Sequence, residues 1–247
     1  MELVNRKIPV LLYHRIVKRN DIIGRHKIYV YEDKFYRQMK LLKEAGFTSI
    51  TFEDIYHNKV TGDKNVIITF DDGYEDNYRT AFPILKEFGF RAVIFLVTGM
   101  QRNEWGIREG EPAIAMMNQE MLQEMQDYGI ELGGHTMNHN DLTKPEQTVA
   151  RNEIAGCKSD LEKRFNKTVI SFSYPFGAIN QDIKKRVAES GFVYGISTNT
   201  GPDNLFEDLL QIKRREVGPR TTLSSFRKKA GIGNSAECRR FFDFFKK

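Results

Sequence analysis

The chain alternates between short unbroken apolar runs and longer segments whose apolar positions recur at helical spacing. Residues 10–14, 47–50, 66–71, 92–97, 130–135, 169–174, 192–197 and 211–215 are runs of strand length. Residues 31–45 carry Phe35, Met39 and Leu42 on one helical face, and Gly46 follows as a helix-ending residue. Thr51 reads as the N-cap of a short helix with Glu53 and Asp54 in its first turn. Residues 76–88 predict a helix closed by Gly89, and Asn118 caps another that runs to Tyr128 and stops at Gly129. Thr143 with Glu146 predicts a capping box opening a long helix, whose buried stripe is Ala150, Ile154, Cys157, Leu161 and Phe165. Residues 181–190 predict a further helix ended by Gly191.

Apolar strands separated by amphipathic helices imply a parallel sheet covered by helices. Seven or eight parallel strands in 247 residues favour an α/β fold of the (β/α) barrel type over an open doubly wound sheet. No glycine-rich dinucleotide fingerprint follows the first strand. The expected organisation is a barrel over residues 1–220 and a C-terminal tail over residues 221–247 that packs on it.

Composition narrows the class. Hydrophobic residues make up 40% and charged residues 29%, which is a globular balance. No apolar run approaches the ~18 residues of a membrane span. Two cysteines exclude a disulfide framework, and Cys157 reads as a buried thiol. The first residues are apolar only over 8–13 and show no small-residue cleavage site, so the chain as written is expected in the cytoplasm. An extracellular or envelope location stays open if a leader has been removed.

The 38 Lys and Arg outnumber the 33 Asp and Glu, a net +5. Residues 211–247 hold 11 basic and 3 acidic side chains, so the excess belongs to this region and the rest of the chain is slightly acidic. No basic helix with interleaved aromatics and no zinc finger supports a nucleic-acid partner. The closing stretch from Arg239 to Lys247 sets four phenylalanines among basic residues. Two readings stand for it: peripheral contact with an anionic membrane, or a terminal helix packed on the barrel.

Four polar clusters end predicted strands: Tyr13-His14, Asp71-Asp72-Gly73-Tyr74, His135-Thr136-Met137-Asn138-His139 and Ser173-Tyr174-Pro175-Phe176-Gly177. In a parallel barrel these ends share one face, where active sites lie. His135 and His139 have the spacing that presents two imidazoles to one metal, which calls for an anionic third ligand. Asp71 and Asp72 follow a buried strand, where an unpaired charge is costly. Neighbours on a strand face opposite ways, so one carboxylate can join the histidines while the other stays free as a base.

These segments, TFDDGY, HTMNH and SYPFG in that order, resemble the motifs of the polysaccharide deacetylases (carbohydrate esterase family 4, the NodB-homology domain). The resemblance implies a distorted (β/α) barrel. It implies that Asp71 is the general base, and that Asp72, His135 and His139 hold one divalent metal ion. Zn²⁺ is the first choice, and Co²⁺, Ni²⁺ or Fe²⁺ suit the same ligand types. The backbone N–H of Phe176 would take the oxyanion position, and Tyr174 is a further candidate for contact with the oxyanion or substrate.

Two positions depart from the family pattern. Ser173 stands where an arginine usually orients the base, and Arg214 is the candidate replacement, against a reading as a solvated charge. No histidine follows His139, so the family's closing Leu-x-His motif is missing. It appears instead at the start as Leu12-Tyr13-His14, which resembles a circularly rearranged subgroup that includes poly-N-acetylglucosamine deacetylases. His14 would then be the general acid and Leu12 would line the acetyl-methyl pocket. Trp105, the only tryptophan, lies in the long loop of residues 99–117 and either covers substrate or anchors the loop.

The expected activity is metal-dependent removal of N-acetyl groups from N-acetylhexosamine units of a polysaccharide or glycan precursor. The alternatives are an amidohydrolase acting on a small substrate and an inactive carbohydrate-binding protein.

Overall fold

The computed structural model describes residues 6–144, 147–198 and 200–233. The strands are β1 (Val10–Tyr13), β2 (Arg15–Val17), β3 (Tyr29–Tyr31), β4 (Thr48–Ser49) and β5 (Asn65–Phe70), then β6 (Val93–Leu96), β7 (Glu131–Gly134), β8 (Ser171–Ser173), β9 (Tyr194–Ile196) and β10 (Arg215–Glu216). The helices are α1 (Glu32–Glu44), α2 (Phe52–Tyr56), α3 (Phe82–Phe88) and α4 (Glu104–Arg108), then α5 (Gln119–Tyr128), α6 (Gln147–Phe165), α7 (Gln181–Glu189) and α8 (Leu223–Lys229).

The main sheet runs in the order β10–β1–β5–β6–β7–β8–β9, with every pairing parallel, and β4 adds to the start of β5. Residues 212–217 bring its two ends together. Ile212 bridges to Ile196 of β9, while Arg215 and Glu216 pair with Leu11 and Leu12 of β1. The result is the α/β fold with a distorted (β/α) barrel. The predicted last strand, 211–215, is mostly this irregular closing segment, and regular pairing is confined to Arg215–Glu216.

Alternate strand residues divide between two cores. Val10, Ile67, Val93, Phe95, Ile170 and Ile196 fill the barrel interior, which Phe52 and Ile55 of α2 plug from below. Leu11, Ile68, Ile94, Leu132 and Phe172 face outward beneath the helices and meet Phe35, Met39, Leu85, Ile154 and Leu161. Gly133 has to be glycine: an added Cβ would lie 2.5 Å from the Phe95 ring that fills the interior at that level. Cys157 is buried on α6 as expected.

Two helix predictions are corrected. Residues 76–88 are not one α-helix, because Asn77–Ala81 is a wide π-type turn that precedes α3. Thr143 does not open α6. It sits in a turn where its N–H and hydroxyl both donate to Asp141, and Pro145 next in sequence disfavours helical backbone at Lys144. Glu146, the other half of the predicted capping box, lies outside the described residues. At the C-terminal end, Phe226 of α8 and Ala230 beyond it are buried in the outer core. The Phe-rich segment from Arg239 lies outside the described residues. Among the described residues no helix is long and apolar enough to cross a membrane.

Candidate active site

A cavity of about 270 Å³ opens at the C-terminal ends of the strands. Leu12, His14, Asp71, Asp72, His135 and His139 all line it, and so do Trp105 and Phe176. Five separate stretches of sequence therefore converge on one space. The backbone is strained where they do. Asp72, Thr136, His139 and Phe176 all have φ between 54° and 75°, a region that side-chain-bearing residues rarely occupy.

Asp72, His135 and His139 form a buried cluster. The Asp72 Oδ1 atom is 3.4 Å from His135 Nε2 and 3.3 Å from His139 Nε2. It is buried and has no hydrogen-bond partner among the described residues. An uncompensated buried carboxylate oxygen is expensive, so the arrangement calls for a cation between the three atoms. Tetrahedral ligand bonds of about 2.0–2.2 Å place ligands about 3.3–3.6 Å apart, which is the spacing seen. His135 Nδ1 lies 2.7 Å from the Ser173 carbonyl; donating to it leaves the Nε2 lone pair facing the cluster. The residues fit a divalent metal ion of the type that nitrogen and oxygen ligands select.

Burial alone would raise the Asp72 carboxyl, but the adjacent imidazoles of His139 and His135 outweigh it and hold its pKa well below the usual range. Burial also pulls both imidazoles toward their neutral form. At His135 the Asp71 and Asp72 carboxylates overcome it and raise the pKa, whereas at His139 burial prevails and lowers it.

Asp71 points into the top of the barrel, where Arg214 meets it. The guanidinium grips the carboxylate with both forks, Nη1 to Oδ1 at 2.6 Å and Nη2 to Oδ2 at 2.6 Å. Nη2 also donates to Ser173 Oγ at 2.9 Å, and Ser173 Oγ in turn donates to Asp71 Oδ2 at 3.2 Å. Arg214 is 1% exposed, so it is not a solvated charge. Burial pushes the Asp71 carboxyl up, and the charges of Arg214 and His135 more than reverse this, leaving its pKa below the ordinary value. Arg214 thus reaches both Asp71 and Ser173 from within the closing segment.

His14 is half-buried in the cavity wall, and its carbonyl accepts the Asn77 side-chain N–H at 2.7 Å. Leu12, which also lines the cavity, is buried. Phe176 is 57% exposed, and its ring meets His139 edge-on at 4.6 Å. Trp105 stacks on His139, with ring centroids 4.3 Å apart and an interplanar angle of 27°. Tyr174 is placed differently from the expectation that it touches substrate. Its ring is buried against Phe172 and its hydroxyl donates to the Leu210 carbonyl, away from the cavity. Strand alternation explains this, because Phe172 and Tyr174 share the outward parity.

Three supporting residues went unread in the sequence. Arg15 lines the cavity and is held by Asp76, with Nε to Oδ2 at 2.8 Å. Its signal was a charge inside the apolar stretch of residues 11–17. Glu153 accepts from the backbone N–H of Met137 at 2.9 Å and of Asn138 at 2.8 Å, and from the side chains of Asn138 and Asn140, so it fixes the loop between the two histidines. Its signal was a charge on the apolar stripe of α6, three residues after Ala150 and one before Ile154. Asn77 gave no signal beyond its place in the predicted helix.

Residues 58–195 match the profile of the polysaccharide deacetylase family. The chain is 29% identical over 224 residues to YxkH of Bacillus subtilis, an alignment covering 89% of this chain and 75% of the relative. It is 29% identical over 209 residues to the poly-beta-1,6-N-acetyl-D-glucosamine N-deacetylase of Staphylococcus epidermidis, covering 76% of this chain and 71% of the relative. Among solved structures it is similar to the Streptococcus pyogenes deacetylase PplD in complex with acetate, with a TM-score of 0.78, 27% identity, and coverage of 91% of this chain and 98% of that one.

Proposed function

This chain belongs to the polysaccharide deacetylase family, and we propose that it is a metal-dependent hydrolase that removes N-acetyl groups from N-acetylhexosamine units of a polysaccharide or glycan precursor. One observation carries this reading: a buried Asp72–His135–His139 cluster stands in the same cavity as the arginine-clamped carboxylate of Asp71. The Staphylococcus epidermidis relative, named for a β-1,6-linked N-acetylglucosamine polymer, supports that class of substrate.

Asp72, His135 and His139 would hold the ion, which when bound supplies a Lewis acid for the amide carbonyl and for water. Asp71 accepts a proton from the water that attacks the acetyl carbon. Arg214 keeps that carboxylate ionised and aimed, since its fork fixes both oxygens. The Phe176 N–H donates to the carbonyl oxygen as charge develops there. His14 gives a proton to the sugar nitrogen as the carbon–nitrogen bond breaks. Acetate and a free amine leave, and Asp71 and His14 return to their starting states by proton exchange. Leu12 supplies the apolar wall for the acetyl methyl group.

The test is acetate release from β-1,4- and β-1,6-linked N-acetylglucosamine oligomers, with Zn²⁺, Co²⁺, Ni²⁺ or Fe²⁺ added to the metal-free protein. Acetate should appear with metal and cease with a chelator. Release from small N-acetyl amides but from none of the oligomers would replace this reading with small-amide hydrolysis. No release from either, with metal bound, would leave a binding protein.

A further inference from the structure

The two histidines of the cluster are steadied by different means. The His135 ring is fixed by its hydrogen bond with the Ser173 carbonyl. The His139 ring has no equivalent, because its Nδ1 is buried without a hydrogen-bond partner among the described residues. Its backbone is pinned by its N–H donating to Thr136 Oγ1 at 2.9 Å, yet that bond leaves the imidazole free to turn. The close contacts that remain are aromatic: the Phe176 ring meets the imidazole edge-on at 4.6 Å, and the Trp105 indole stacks on its face, centroid to centroid at 4.3 Å.

Trp105 sits on the short helix α4 and can act as a fixed surface because the loop that carries this helix is tightly built. Asn103 ties the loop across its neck, accepting the Ile114 N–H at 2.7 Å and donating to the Pro112 carbonyl at 3.0 Å. The exit of the loop is anchored to the turn after Asp72, with the Met117 N–H donating to Gly73 at 2.9 Å and the Glu75 N–H to Ala115 at 3.0 Å. The indole and the carboxylate of Asp72 are therefore carried on one connected scaffold. An imidazole that donates its Nε2 lone pair to a cation becomes electron-poor, and the electron-rich indole face then attracts it more strongly.

We infer that Trp105 is a positioning residue for the His139 imidazole, replacing by stacking the hydrogen bond that Nδ1 lacks, and that it thereby sets the affinity of the cluster for a divalent ion. The inference rests on the metal reading above. The outer partners of metal-binding histidines typically govern affinity by about 10–100-fold.

The test titrates the metal-free full chain with Zn²⁺ in competition with a chromophoric chelator, for wild type, Trp105→Phe, Trp105→Leu and Trp105→Ala. The Leu and Ala variants should bind Zn²⁺ about tenfold more weakly or worse, while Phe, which keeps a stacking face, should restore most of the affinity. As the only tryptophan, Trp105 should also lose fluorescence when Co²⁺ binds the wild-type protein. If Trp105→Ala fails to fold, the Phe and Leu variants decide. Wild-type affinity in the Leu variant, or equal loss in Phe and Leu, overturns the inference while leaving the metal site intact. Absence of Zn²⁺ binding by the wild-type protein overturns the metal reading and this inference together.

Discussion

Arg214 and Asp71 form a pair whose energetics can be measured apart from catalysis. Both are buried, at 1% and 2% exposure. All five guanidinium N–H groups have acceptors: Nε donates to the Ser197 carbonyl at 2.8 Å, Nη1 to Asp71 at 2.6 Å and Thr69 Oγ1 at 3.2 Å, and Nη2 to Asp71 at 2.6 Å and Ser173 Oγ at 2.9 Å. Arg214→Met would leave the Asp71 carboxylate with Ser173 as its one remaining side-chain donor among the described residues. Asp71→Asn would strand the buried cation and turn an amide N–H toward one of its forks. Breaking a buried pair from either side costs about 3–5 kcal/mol, because the surviving charge is uncompensated. Removing both charges takes that penalty away, so the double variant should lose about 2–3 kcal/mol less than the two single losses combined. Urea unfolding followed by far-UV circular dichroism, with a chelator present so that metal binding does not contribute, gives the three free energies. Additive losses, or a single Arg214→Met loss below about 1 kcal/mol, would refute the argument that this pair is a closed, desolvated unit.

Three further outcomes follow from named contacts. Burial raises the Glu131 carboxyl at the barrel floor to about 7, from an ordinary value of 4.5. The folded state therefore holds this proton more tightly than the unfolded chain does, and stability should fall as pH rises through that window. Glu131→Gln should remove the slope and gain on the order of 3 kcal/mol over wild type at pH 8; equal pH profiles of Tm in the two proteins would count against it. Glu153→Ala releases the loop between the histidines and should weaken Zn²⁺ binding about 10–100-fold, measured by chelator competition. His14→Ala should lower turnover about 10²–10⁴-fold while bound metal, measured by elemental analysis, stays at one equivalent. Loss of the metal in that variant would make His14 a ligand.

Much of the barrel was legible because its strands are apolar on both faces. A run such as residues 66–71 or 92–97 has few other uses in a globular chain, and the glycines at positions 46, 89, 129 and 191 mark where the intervening helices stop. What escaped depends on competition between local options. The π-type turn at Asn77–Ala81 uses residues that would serve equally well in an α-helix, and its Asn77 side chain donates to the carbonyl of His14, between β1 and β2 and far away in sequence. The closing segment was read as a strand because its residues are strand-like. It lies between β9 and β1, and its irregular pairing brings the Arg214 side chain into the barrel.

The site was legible to the extent that its groups are written together. Asp71-Asp72 and His135 with His139 are local patterns, and each ends a strand. Arg214 is separated from Asp71 by 143 positions, and nothing local distinguishes it from Lys213 or Arg215 beside it. Its selection is geometric. Lys213 pairs with Asp203 and Arg215 donates to the carbonyl of Lys229, so both serve the surface, while the residue between them faces the interior. The same reasoning applies to Tyr174. It sits one position past Ser173, whose hydroxyl reaches Asp71, and that single step along the strand turns its ring away from the cavity and into the outer core. Parity on a strand, more than identity of the motif, decides which members of a sequence signature reach the reacting atoms.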